Sequence, residues 1–115
     1  RWLRLNAEAY RIDTTKIAAM GTSAGGHLAL MLAMTHPPDG LEGDQNPGPS
    51  SSVAAAVSLY GPSDLRDFES TSTQAPLGAG ALWRPYLRSF LGTEPVGKKK
   101  PEDAASPITY VSTDT

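Results

Sequence analysis

A chain of 115 residues, 39% hydrophobic and 19% charged, holds at most one small globular domain. Its net charge of -2 gives no footprint for nucleic acid, and the only basic run, Lys98-Lys99-Lys100 beside Gly97 and Pro101, reads as a solvated loop. The absence of cysteine excludes a disulfide scaffold and a thiolate metal site without fixing a compartment; within residues 1–115 no stretch reaches the length of a membrane span or has a signal-peptide pattern.

The chain opens on Trp2, Leu5, Ala9 and Tyr10 near helical spacing, with Arg1, Arg4, Glu8 and Arg11 on the other faces. That pattern predicts the last turns of an amphipathic helix packed on a sheet, with Trp2 in the core. Ile12 to Thr15 is a turn in which Asp13 and the threonines cap. Lys16 to Met20 is apolar through its middle and predicts a strand buried on both faces, as in parallel sheets flanked by helices. A proline-free apolar run, His27 to about Thr35, predicts a helix that His36-Pro37-Pro38 ends. Residues 40–52, rich in Gly, Pro, Ser, Asp and Asn, form a surface loop, and Val53 to Leu59 is a second strand. Helix, strand, helix, strand with long crossovers implies a doubly wound α/β sheet. Tyr60-Gly61-Pro62-Ser63-Asp64-Leu65 leaves the second strand at the carboxyl edge, where open α/β sheets place ligand sites. Residues 66–80 are small and polar. Leu82, Trp83, Leu87, Phe90 and Leu91 predict a short amphipathic helix with Pro85 in its first turn and Gly92 at its end. Residues 66–92 are therefore either a cap over the site or a helix packed on the sheet edge. A loop from Gly92 to Pro101, one turn over 102–105, and an exit through Ser106-Pro107 complete the chain. Starting at Arg1 within an apparent helix and stopping at Thr115 in a polar loop, residues 1–115 read as the central fragment of a single larger domain.

The chemistry centres on Gly21-Thr22-Ser23-Ala24-Gly25-Gly26, between the first strand and the helix. A serine at the apex of a sharp strand-to-helix turn, with glycine two positions before and after, is a nucleophile elbow. The strand must end and the helix begin within a few residues, so Gly21 and Gly25 lie close and a Cβ on either clashes. Ser23 is forced into a strained conformation that exposes its Oγ, and the helix start leaves the Ala24 N–H free for a developing oxyanion. Gly26 adds close helix–sheet packing. The bare pattern occurs by chance in roughly a few per cent of chains this long; the flanking strand and helix give it meaning. The alternative is a glycine-rich turn with Ser23 as a helix N-cap, its oxygen turned onto its own helix.

A serine hydroxyl needs a base. His27, on the first helical turn, is turned away from the elbow serine, and a helix N-terminus disfavours the cation a base must become. It is expected beneath the elbow, hydrogen-bonded to a neighbour. His36 is roughly 20 Å along the helix and out of reach. Asp64, after the next strand, is a minor candidate for the acid and otherwise a turn or cap residue; Asp67, Glu69, Glu102 and Asp103 read as solvated or capping. The base and the acid are expected beyond Thr115. No metal-ligand spacing, P-loop lysine or G-x-G-x-x-G pattern is present, so no cofactor or metal is expected.

Gly21-Thr22-Ser23-Ala24-Gly25-Gly26-His27-Leu28-Ala29 resembles the α/β-hydrolase superfamily, and within it the esterase/lipase group of acetyl esterases, hormone-sensitive-lipase-like enzymes and feruloyl- or acetylxylan-type esterases. R-W-L-R-L-N-A-E-A-Y-R-I-D before the strand, Y-G-P-S-D-L after the second strand and A-S-P-I-T-Y-V-S at 105–112 extend the likeness over nearly the whole chain. The resemblance implies a partial α/β-hydrolase fold, Ser23 as the nucleophile and Ala24 as an oxyanion donor. It also implies a second donor in a His-Gly-Gly loop upstream of Arg1, an acid and a histidine downstream of Thr115, and a fragment inactive alone. The implied activity is hydrolysis of small-molecule carboxylic esters with short acyl groups through an acyl-enzyme. Two other functions fit the elbow: a serine peptidase of the prolyl-oligopeptidase type, against which Ala24 argues because an aromatic more often follows that serine, and a non-catalytic binding module, against which the intact Ser23 argues.

Overall fold

The computed structural model describes residues 1–66 and 79–112. Two helical turns open the chain, α1 (Trp2–Leu5) and α2 (Ala7–Tyr10), broken at Asn6, whose Nδ2 donates to the Trp2 carbonyl at 2.8 Å. Trp2 does not enter a core: it is 48% exposed and tilts against Tyr10 with the ring centroids 5.4 Å apart. Polar contacts fasten this segment instead. Arg4 donates to the carbonyls of Thr14, Ser50 and Ser52, and Arg1 pairs with Glu42, which also accepts from Ser51.

The first strand starts later than its apolar pattern predicts. Asp13 accepts from the Thr15 amide and hydroxyl through its Oδ1, and the Lys16 amide bonds to the Asp13 carbonyl, so Lys16 is held in the turn. β1 therefore spans Ala18–Thr22 and takes in Gly21 and Thr22. It runs parallel to β2 (Ala55–Leu59), in register from Ala18↔Ala55 to Thr22↔Leu59. Between them α3 (Ala24–Met34) crosses over one face of the pair and buries Gly26, His27 and Ala29. This is a partial α/β fold: two parallel strands, a crossover helix and a site at the carboxyl edge.

The strands are not buried on both faces. Ala19, Gly21, Ala56 and Ser58 are half-buried toward α3, whereas register partners Met20 and Val57 are 73% and 48% exposed. Among the described residues a helix covers one face of the pair, and the apolar residues of the other face are exposed.

α4 (Ala79–Leu91) is longer than the pattern at 82–91 suggests, so Pro85 lies inside the helix rather than in its first turn and costs one backbone hydrogen bond. Gly92 ends it as expected, at φ 67° with its N–H on the Arg88 carbonyl at 3.0 Å. α5 (Pro101–Ala104) and a 3₁₀ turn over Pro107–Tyr110 close the described chain. Lys99 is not simply solvated: its Nζ lies 3.9 Å over the Tyr110 ring and 3.6 Å from Asp39. Residues 67–78, with Asp67 and Glu69, lie outside the described residues, as do the side chains of Leu82 and Trp83.

Candidate active site

The passage from β1 to α3 is made at Ser23. Its backbone sits at φ 51°, ψ −120°, a conformation L side chains rarely adopt, and one that costs of order 1–3 kcal/mol. Two backbone bonds over-determine it: the Ser23 N–H donates to the Leu59 carbonyl at 3.0 Å, extending the β1–β2 ladder by one rung, and the Ser23 carbonyl accepts the His27 N–H at 3.0 Å as the first bond of the helix. The exposed Ser23 side chain makes no capping hydrogen bond to its own helix. The N-cap alternative fails on that point. The Ala24 N–H belongs to the first helical turn, whose donors have no intrahelical acceptor.

The glycines divide the steric work unevenly. A Cβ on Gly21 would overlap the backbone of Gly25, and one on Gly26 would lie 2.8 Å from Ser58 Oγ and 3.1 Å from the Gly61 Cα. A Cβ on Gly25 meets nothing within 4 Å, so the expected clash there is absent. Gly61 is as constrained as Gly21: its Cβ would overlap the His27 amide and lie 2.6 Å from Ser58 Oγ.

Ser23 and Ala24 line a cavity of about 680 Å³. Tyr60, Pro62 and Leu65 supply one wall, and Tyr86, Leu87 and Phe90 of α4 another. The Y-G-P-S-D-L segment was legible as a site wall from its place after β2; Leu28 and Tyr86 carried no such signal. Tyr60 was missed in a further respect. It leaves β2 at φ 45°, beside Ser23 across the ladder, and a bulky residue in that region has no sequence mark.

His27 is 6% exposed, and its Nε2 lies 2.7 Å from the Ala105 carbonyl, with Phe90 edge-on at 6.4 Å between ring centroids. It sits beneath the elbow, bonded to a neighbour, as its position suggested. Asp64 is committed elsewhere: Arg66 Nε and NH2 donate to its two carboxylate oxygens at 2.8 and 2.6 Å. Those bonds hold its carboxyl at a pKa of about 2, well below the usual carboxylate range. A carboxylate occupied by arginine on both oxygens is poorly suited to orient a histidine. Among the described residues, no three His, Cys, Asp or Glu side chains group so as to hold a metal, and no helix is long and apolar enough to cross a membrane.

The family model BD-FAE matches residues 1–115. The chain belongs to the BD-FAE family. BD-FAE is an esterase/lipase-like family of the α/β-hydrolase superfamily, which agrees with the partial α/β fold and with the resemblance carried by residues 21–29. The BD-FAE chain is also similar to the Esterase LipC of Mycobacterium tuberculosis (strain ATCC 25618 / H37Rv), at 35% identity over 66 residues. That match covers 57% of this chain and 16% of the relative. No solved structure matches it.

Proposed function

We propose that the protein is a serine carboxylic-ester hydrolase working through an acyl-enzyme, with Ser23 as the nucleophile. One observation carries this reading: Ser23 is strained at a strand-to-helix turn, its side chain makes no capping hydrogen bond to its own helix, and it borders an apolar cavity. Ser23 Oγ attacks the ester carbonyl as a base removes its proton. The Ala24 N–H donates to the oxyanion, the alcohol leaves with that proton, and water then releases the acid from Ser23. No cofactor takes part.

Neither histidine of this chain serves as the base. His27 Nε2 is held on Ala105, and His36 lies beyond the far end of α3. The base and the second oxyanion donor belong to chain outside residues 1–115, so these residues alone have no turnover. They form the central part of one α/β-hydrolase domain, and α4, which brings Tyr86, Leu87 and Phe90 to the cavity, is its cap. The substrate is a small-molecule ester with a short acyl group, the alcohol portion filling the rest of the cavity.

The test uses the full-length protein. Short-acyl p-nitrophenyl esters should turn over faster than long-acyl ones, a fluorophosphonate should label Ser23, and Ser23→Ala should abolish labelling and lower kcat by about 10³-fold or more. Faster cleavage of a proline-containing anilide would replace the esterase with a peptidase. Failure of the fluorophosphonate to label Ser23 would leave a binding module.

A further inference from the structure

His27 is buried, polar, next to the nucleophile turn, and unused in the mechanism above. A neighbouring segment is organised around it. Residues 101–110 form a strap beneath the carboxyl edge, held by five hydrogen bonds. Ser106, fully buried, accepts the Leu65 N–H at 2.8 Å and donates to the Glu102 carbonyl at 2.6 Å. The Ile108 N–H donates to the Ser63 carbonyl at 3.1 Å, and Tyr110 OH to the Ala104 carbonyl at 2.7 Å. Four of these bonds hold the strap to itself or to the loop after β2. The fifth, from His27 Nε2 to the Ala105 carbonyl at 2.7 Å, runs between the strap and α3.

A carbonyl only accepts, so the bond requires a proton on Nε2. The donor side belongs to the residue whose backbone N–H closes the first helical turn onto the Ser23 carbonyl. Ser23 itself is at φ 51° and gains nothing locally from staying there. We propose that His27 is a positioning residue: its Nε2–H···O=C bond to Ala105 ties the first turn of α3 to the 101–110 strap and so holds Ser23 and the Ala24 N–H in their reactive relation. This rests on Ser23 being the nucleophile. A histidine that merely fills space would be replaceable by any side chain of similar length. One that positions through a donor is replaceable only by another donor at the same reach.

Glutamine and methionine make that distinction. They are close in length, but only glutamine carries a donor where Nε2 stands, while methionine fills irregular apolar space well. In the full-length protein, His27→Met should lower kcat and the fluorophosphonate labelling rate roughly 10- to 100-fold, as expected for a misplacement of about 1 Å, with KM within about twofold. His27→Gln should stay within about threefold of wild type on both readouts. Two results would overturn the proposal: His27→Met with wild-type kcat, or His27→Gln as impaired as His27→Met. His27 also borders the cavity, so a KM effect alone would overturn the proposal by leaving it as cavity wall only. If His27→Met does not fold, ¹⁵N NMR of the wild type decides: a proton on Nε2 is required, and an Nδ1–H tautomer ends the idea. The two claims fail separately, because a wrong nucleophile assignment leaves the wild type unlabelled at Ser23, whereas a wrong role for His27 leaves labelling intact.

Discussion

The three glycines at 21, 25 and 26 look equivalent as letters and are not equivalent in space. Gly21 is the last half-buried residue of β1, and its missing Cβ is where the backbone of Gly25 passes. Gly25 itself faces open space. Gly21→Ala is therefore expected to cost about 1–3 kcal/mol through overpacking against backbone that cannot rotate away. Gly25→Ala should be neutral or stabilise by up to about 1 kcal/mol, since it places alanine in a helix. Urea unfolding of the two full-length variants checks this; equal losses would mean that both glycines serve the close approach. Ser23 belongs to the same scale. Its positive φ follows from joining a strand to a helix in one residue, so the strain was foreseeable from G-T-S-A-G-G. The positive φ of Tyr60 was not, because nothing in Leu59-Tyr60-Gly61 announces it and glycine stands next door.

At the scale of elements, α3 was predictable and the strap was not. An apolar run without proline between a glycine-rich turn and His36-Pro37-Pro38 reads directly as a helix, and it ends at Met34. Ala105 to Tyr110 could be read only as an exit from a turn. What gives it structure is long-range: Ser106 bonds across to Leu65 and His27 across to Ala105. Ser106→Ala should strand the Leu65 N–H, on a residue 5% exposed, at a cost of about 1–3 kcal/mol. A thermal melt of the full-length variant measures it; an unchanged midpoint would show that water reaches that amide.

Taken as a whole, the described residues are under-covered. The described hydrophobic core is Ala29, Leu65, Ala104 and Tyr110, while Met20, Val57 and Leu59 stay exposed on the uncovered sheet face. Among the described residues neither outer edge of the two-stranded sheet is paired, which invites association. The isolated 115-residue chain should therefore aggregate or remain partly unfolded. A sharp cooperative melt by calorimetry, with a monomeric sedimentation profile, would contradict that.

What the sequence determined by itself was whatever rests on local sterics: the strand–turn–helix at 18–34, the need for glycine at 21 and 26, the helix stop at Gly92, and the site at the end of β2. Each follows from the backbone conformations that a few neighbouring residues permit. Tertiary structure alone decided the rest. It set the exposure of Trp2, Met20 and Val57, because burial depends on what lies opposite. It also chose Ala105 as the partner of His27, 78 residues away along the chain. Local rules carry no information about contacts at that separation, since only packing brings the two groups within 2.7 Å.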